Sequence, residues 1–127
     1  MGRGRRGVRR IQVTDTPSLT RGDVVLVSAS GDYGKPRPAV VVQTDAMPPA
    51  HASVVVCPMT SELVEARDFR VDIEPSGQNG LRLPSQVMAD KPVTIRRAKI
   101  STIIGRLDDG DMGRVSTALA FVLGFGD

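Results

Sequence analysis

The segment GDYGKPRPAVVVQTD, residues 31–45, decides how the chain folds. Two prolines bracket Arg37 directly before a run of apolar residues. Each proline fixes its own φ and biases the residue before it toward extended geometry, which holds Arg37 stiffly at the mouth of a strand. The Val40-Val41-Val42 run has no polar alternation, the pattern of a central strand buried on both faces. The segment therefore predicts a strand over 38–44, preceded by a loop over 30–36 that carries Gly31 and Gly34. An arginine that only aids solubility needs no such clamp. This one is placed to point at something.

Upstream, Arg21-Gly22-Asp23 opens the domain and 24–29 reads as a strand. Downstream, 45–52 with Pro48-Pro49 is a second loop, and 53–57 is a β-branched run that Pro58 is expected to stop. Residues 59–66 leave strand and helical turn both open. Phe69-Arg70-Val71-Asp72-Ile73 alternates with period 2, as a half-buried strand does. A turn over 75–80 precedes short strands at 83–89 and 93–95, around Asp90-Lys91-Pro92, and a last strand at 101–106. Asp108 reads as the N-cap of a C-terminal helix, with Asp109 and Asp111 in its first turn. Met112, Val115, Leu119 and Val122 form one stripe, with Ala118 and Leu123 beside it, to face the sheet. Gly124 suits the C-terminal cap. Many strands and then one helix mean an α+β fold: a small, strongly curved, mainly antiparallel sheet with a C-terminal α-helix.

The chain has 127 residues, enough for one core, and 3% aromatics with no Trp, so aliphatic side chains must fill it. The same scarcity argues against binding nucleic acid on aromatic stacking platforms. The net charge of +3 is uneven: Arg3, Arg5, Arg6, Arg9 and Arg10 supply five of the seventeen basic residues, and without them the chain is slightly acidic. Residues 1–19 read as a flexible basic arm before a single domain over 20–127. The arm either holds phosphates without reading sequence or is a disordered extension. No apolar run is long enough for a bilayer, no signal-type stretch follows the basic start, and a cytoplasmic protein is expected.

Most active-site patterns are absent: no P-loop, no GxGxxG, no HExxH, no CxxC and no GxSxG. One histidine, His51, excludes a histidine-pair mechanism within one chain and reads as a surface loop residue. The single cysteine, Cys57, reads as a buried strand residue with nothing basic beside it in sequence to activate it. No metal or other cofactor is implied. Two segments remain, Lys35-Pro36-Arg37-Pro38 at a strand start and Pro58-Met59-Thr60-Ser61 at a strand end. If the two strands are antiparallel neighbours, Arg37 and Thr60 meet at one rim of the sheet. A planar guanidinium fork and a hydroxyl there suit phosphate oxygens and charge developing on them. The alternative is a surface arginine and a threonine that caps the next turn.

The segments RGDVVLV, KPRPAVVVQTD, VVVCPMTS and IGRLDDGDMGRVSTALAFVLGF occur in an order that resembles the MazF/PemK toxins of toxin–antitoxin systems, over about residues 20–125. The resemblance implies an SH3-like barrel of the CcdB/PemK type, usually a homodimer. It also implies a metal-independent endoribonuclease that cuts single-stranded RNA at short sequences, leaving a 2′,3′-cyclic phosphate and a 5′-hydroxyl. Arg37 and Thr60 occupy the places of the family's catalytic arginine and threonine, and Asp90 that of an aspartate in the PemK-like branch. Met88 falls where that branch carries an arginine, so that either activity is lower or Arg96 or Lys91 compensates. Lys35, Ser61 and Gln86 are candidate RNA contacts. A cognate antitoxin with an acidic, partly disordered segment is the implied protein partner, and the apolar end at 121–125 a candidate dimer surface. Two other readings stand beside this one. A CcdB-like gyrase poison is disfavoured by the Phe125-Gly126-Asp127 end, where those toxins carry a Trp-Gly-Ile end. A catalytically silent antitoxin- or RNA-binding module is favoured by Met88.

Overall fold

The computed structural model describes residues 9–10, 18–28 and 35–126. Most of the expected basic arm, and the loop glycines Gly31 and Gly34, lie outside these residues. The described strands are β1 (Arg9–Arg10), β2 (Asp23–Val27), β3 (Arg37–Val41), β4 (Ser53–Thr60), β5 (Arg70–Ile73), β6 (Ser85–Met88), β7 (Val93–Arg96) and β8 (Ile100–Arg106), followed by the helix α1 (Asp109–Leu123). They form one sheet in the order β1-β8-β2-β3-β4-β6-β5, with β7 also on β4, and every pairing is antiparallel. The α+β architecture is as the sequence implies. Arg9 and Arg10, expected in the flexible arm, pair with Ile103 and Thr102 on β8.

The valine run is buried on both faces, as its lack of alternation predicts. Val40 and Val42 enter one cluster with Val24, Met59, Val71, Val87 and the helix residues Met112, Val115 and Ala118. Val41 and Ala39 enter a second cluster with Val25, Val54, Val56 and Ile100. The sheet thus separates two cores, and α1 closes the first. β5 shows the expected period-2 burial, with Val71 and Ile73 inside and Asp72 outside.

Element ends shift by a few residues from the sequence expectation, and three departures have a local cause. β3 ends at Val41 rather than 44, because the Val42 and Gln43 amides both donate to the Val55 carbonyl and the Gln43 side-chain oxygen accepts the Val55 amide. That local bonding replaces a regular ladder. Pro58 does not stop β4. It lies between the last pair to β7, Val56↔Val93, and the first pair to β6, Met59↔Val87, where a change of partner makes its missing N–H cheap. The helix stripe is shorter than expected. Met112, Val115 and Ala118 are buried and Leu119 packs half-buried against the core, but Val122 is only half-buried and Leu123 exposed. Both helix ends are as predicted. The Asp108 side chain accepts the Asp111 amide at 2.7 Å. Gly124 has φ 80°, and the Phe125 amide reaches back to the Ala120 carbonyl, a Schellman closure.

The turn before β6 packs backbone to backbone on β8: the Arg106 amide donates to the Gln78 carbonyl at 2.9 Å. A Cβ on Gly105 would fall 2.5 Å from the Asn79 carbonyl carbon and closer still to the Gln78 oxygen, whereas a Cβ on Gly113 meets nothing within 4 Å. Gly105→Ala is expected to destabilise by roughly 1–3 kcal/mol or more through overpacking. Gly113→Ala should stabilise by about 1 kcal/mol through helix propensity. Paired denaturant melts check both, and equal midpoints for the two variants would contradict the close approach.

Candidate active site on the open end of the sheet

The antiparallel pairing of β3 with β4 runs Val41↔Val56, Val40↔Cys57, Ala39↔Pro58. The ladder ends there; continued two residues past its last pair, the register sets Arg37 and Thr60 at one rim of the sheet, the arrangement the sequence reading required. Arg37 is also paired with Val27 on β2, and Thr60 with Gln86 on β6. Gln86 in turn pairs with Asp72 on β5. Side chains in register across a sheet share a face, so Arg37, Thr60, Gln86 and Asp72 form one row. The neighbouring row on that face holds Pro58, Met88 and Arg70, the last two being a register pair. Further into the sheet the same face of β3 and β4 carries the second core. One face is therefore a core at one end and a polar surface at the other.

Arg37 is exposed and Thr60 half-buried; Lys35 and Ser61 are exposed on the chain beside them. The Thr60 hydroxyl oxygen accepts the Glu62 amide at 3.0 Å, which turns the chain sharply out of β4. The hydroxyl proton remains a donor in that arrangement. Thr60 thus performs the turn-capping role that the sequence left as an alternative, while keeping its place on the rim.

Gln86, expected as an RNA contact, is 3% exposed. Its Nε2 donates to the Val64 carbonyl and the Asp72 carboxylate, both at 2.8 Å, and its Oε1 accepts the Val64 amide at 3.2 Å. All this bonding is internal, and it clips the loop after Thr60 onto the sheet. Asp90 lies in the turn after β6, and its Oδ1 accepts the Arg70 Nε at 3.1 Å. Sequence reasoning missed Arg70, which is distant in the chain and carries no local motif. The signal available was its outward phase in the Phe69–Ile73 alternation. Of the two residues named as compensating for an arginine at position 88, Arg96 lies far from the rim. Arg96 pairs with Ser53 at the far end of β4, seven residues and roughly 23 Å from Thr60. Lys91 is an exposed turn residue.

Other arginines hold the scaffold. Arg21 donates to the Val42 carbonyl and to the Ser116 hydroxyl, tying α1 to β3. Arg106 pairs with Asp23 at 3.1 Å, and Arg114 bonds the Asp72 carbonyl and the Asp111 carboxylate. Burial raises the Asp23 carboxyl above its ordinary value of 3.8, although the Thr20 amide and Arg106 favour its ionised form. Among the described residues no three His, Cys, Asp or Glu side chains gather as metal ligands. His51 is exposed and bonded to the Ser53 backbone, well away from the rim.

A model of the PemK-like, MazF-like toxins of type II toxin–antitoxin systems matches residues 20–123. The chain belongs to that family. It is 40% identical over 107 residues to a probable endoribonuclease MazF of Mycolicibacterium smegmatis, covering 84% of this chain and 97% of that one. In fold it is similar to the Mycobacterium tuberculosis toxin MazF-mt6, with a TM-score of 0.69 at 22% identity over 83% of this chain and 98% of that one. It is likewise similar to a mycobacterial endoribonuclease solved in complex with its cognate antitoxin, with a TM-score of 0.73 at 24% identity over 87% and 99%. Among the described residues of this toxin-family chain, no helix is long and apolar enough to cross a membrane.

Two expectations follow from the geometry. Burial pushes the Cys57 thiol up to about 11, and the side chain is fully enclosed. A thiol reagent at pH 8 should leave the native protein unlabelled and label it completely in denaturant; rapid native labelling would refute a buried Cys57. Gln86→Leu removes three bonds and strands the Val64 backbone, which should cost about 1–3 kcal/mol. It should also raise hydrogen exchange at the Val64 amide well before global unfolding. Unchanged exchange there would show that the clip is unnecessary.

Proposed function

We propose that this chain is the toxin of a toxin–antitoxin pair and an endoribonuclease that cuts single-stranded RNA without a metal, its reaction centred on Arg37 and Thr60. The observation that supports this is the antiparallel β3–β4 register, which continued past its last pair sets those two residues at one rim, in a chain whose 40%-identical relative is a probable endoribonuclease. The substrate's own 2′-hydroxyl attacks the adjacent phosphorus and gives up its proton. The P–O5′ bond breaks, and the departing oxygen takes up a proton to become a 5′-hydroxyl. A 2′,3′-cyclic phosphate remains on the other fragment.

Arg37 acts by electrostatics. A guanidinium stays protonated at all working pH values, so it stabilises the phosphorane's oxygens rather than abstracting a proton. The Thr60 hydroxyl donates to one of the same oxygens. Lys35 and Ser61, exposed on either side, contact the RNA backbone. Asp90 serves the site through Arg70 rather than by touching the reacting atoms. The cognate antitoxin covers this end of the sheet with an acidic segment that orders on binding. Two copies assemble through the exposed Phe121, Leu123 and Phe125. The working compartment is the cytoplasm, where the RNA is.

The test is cleavage of a defined RNA by purified protein in EDTA. Arg37→Ala is expected to lower the rate 10²–10³-fold, roughly the loss on removing one charge-stabilising donor. Thr60→Val should cost about tenfold, one hydrogen bond's worth. The products should carry 2′,3′-cyclic phosphate and 5′-hydroxyl ends. Intact RNA with folded protein, or full activity in Arg37→Ala, would overturn the reading.

A further inference from the structure

We propose that Arg70, held in place by Asp90, is a second phosphate-binding guanidinium of the RNA site and takes a backbone phosphate beside the scissile one. The proposal rests on the ribonuclease reading above. Four observations point to it. Arg70 lies on the same face of the sheet as Arg37 and Thr60, one row over, opposite Met88. Its Nε bonds Asp90 at 3.1 Å, which fixes the plane of the guanidinium without using its Nη donors. It lines the cleft between the loop at 64–67 and the sheet, together with Arg67, Asp72 and Gln86. Gln86, which lines that cleft, is the register partner of Thr60.

Position decides which phosphate it takes. β5 is two strand spacings from β4, roughly 10 Å, too far for Arg70 to share the oxygens held at Arg37 and Thr60. It therefore suits a neighbouring nucleotide of a strand crossing the sheet end from β3 toward β5. The Arg70 side chain is 14% exposed and that of Asp90 28%. A guanidinium set in so sheltered a place meets an arriving phosphate with less competition from water than a surface arginine does. The scaffold arginines Arg21, Arg106 and Arg114 are bound to backbone carbonyls and to Ser116, Asp23 and Asp111. Arg70 has a carboxylate that orients it and a cleft in front of it.

The cross-strand register supplies the test. Wild type, Arg70→Met, Arg70→Lys, Asp90→Asn and the double variant Arg70→Met/Met88→Arg are compared for RNA cleavage in EDTA. They are also compared for binding of an oligonucleotide made uncleavable by 2′-deoxy substitution, over a range of salt. Thermal melts confirm folding. Loss of one phosphate contact on a single strand should reduce the slope of log K against log salt by about 0.7. Arg70→Met is expected to weaken binding about tenfold with that loss of slope, and Arg70→Lys to keep the slope. Asp90→Asn should weaken binding at an unchanged slope. The double variant should regain slope and most of the binding, since it moves the guanidinium one strand across the same face. If Arg70→Met binds and cuts as wild type does, or loses activity with no change of slope, Arg70 is structural and the proposal falls while the ribonuclease reading stands. A wild type that neither binds nor cuts the RNA removes both.

Discussion

The structure depends on one strand that changes partners along one edge. Residues 53–56 of β4 pair with β7, and residues 59–60 pair with β6, while residues 56–58 pair with β3 on the other edge. A strand with two successive neighbours on one side cannot lie in a flat sheet, so the sheet must curve there. Pro58 stands at the exchange, where a residue without an N–H costs least. The curvature lets α1 close one core while the second forms on the opposite face. It also leaves the ends of β3 and β4 uncovered, and Arg37 and Thr60 lie on those ends.

Placing a polar surface on the continuation of a packed face has a mechanical consequence. Ala39, Val41, Val54 and Val56 are fully enclosed in the second core, and the strands that carry them deliver Arg37 and Thr60. The backbone beneath both side chains is thus held by burial on two faces. Loop-borne groups would gain their positions from fewer contacts. This is the arrangement expected where rate depends on placing fixed charge against a reacting phosphate, because error in placement is costly when little else contributes.

Much of this was legible in the sequence because it is local. The Arg37 clamp, the valine run, the alternation in β5, the Asp108 cap and the Gly124 close each depend on residues a few positions apart. Even the meeting of Arg37 and Thr60 needed only one assumption, that consecutive strands pair. What the sequence hid is set by non-local pairing. Pro58 reads as a strand breaker until the change of partner beside it is known. Gln86 reads as an exposed amide until Val64 and Asp72 are seen to occupy it. Arg70 and Asp90 are twenty residues apart, and no periodicity links them; only the β5–β6 ladder does. Arg96 looked closer to the site because it is nearer in sequence, and β7 carries it to the wrong end of β4.

A site built on arginine has a further property. Fixed charge attracts any polyanion, so it supplies affinity and transition-state stabilisation but little discrimination among RNA sequences. On the reading proposed here, discrimination falls to the surface beside the rim, and among the described residues the loop at 61–67 is such a surface. That loop has exposed Leu63 and Val64, and it is tied down by the Thr60 turn and by Gln86. Gln86 is therefore the junction between the two tasks. It pairs in register with Thr60, and its side chain fixes the loop at Val64. The loop and the Thr60 rim are thus coupled through one buried amide. A change in the loop that alters its fit to Gln86 reaches Thr60 through a single strand pairing.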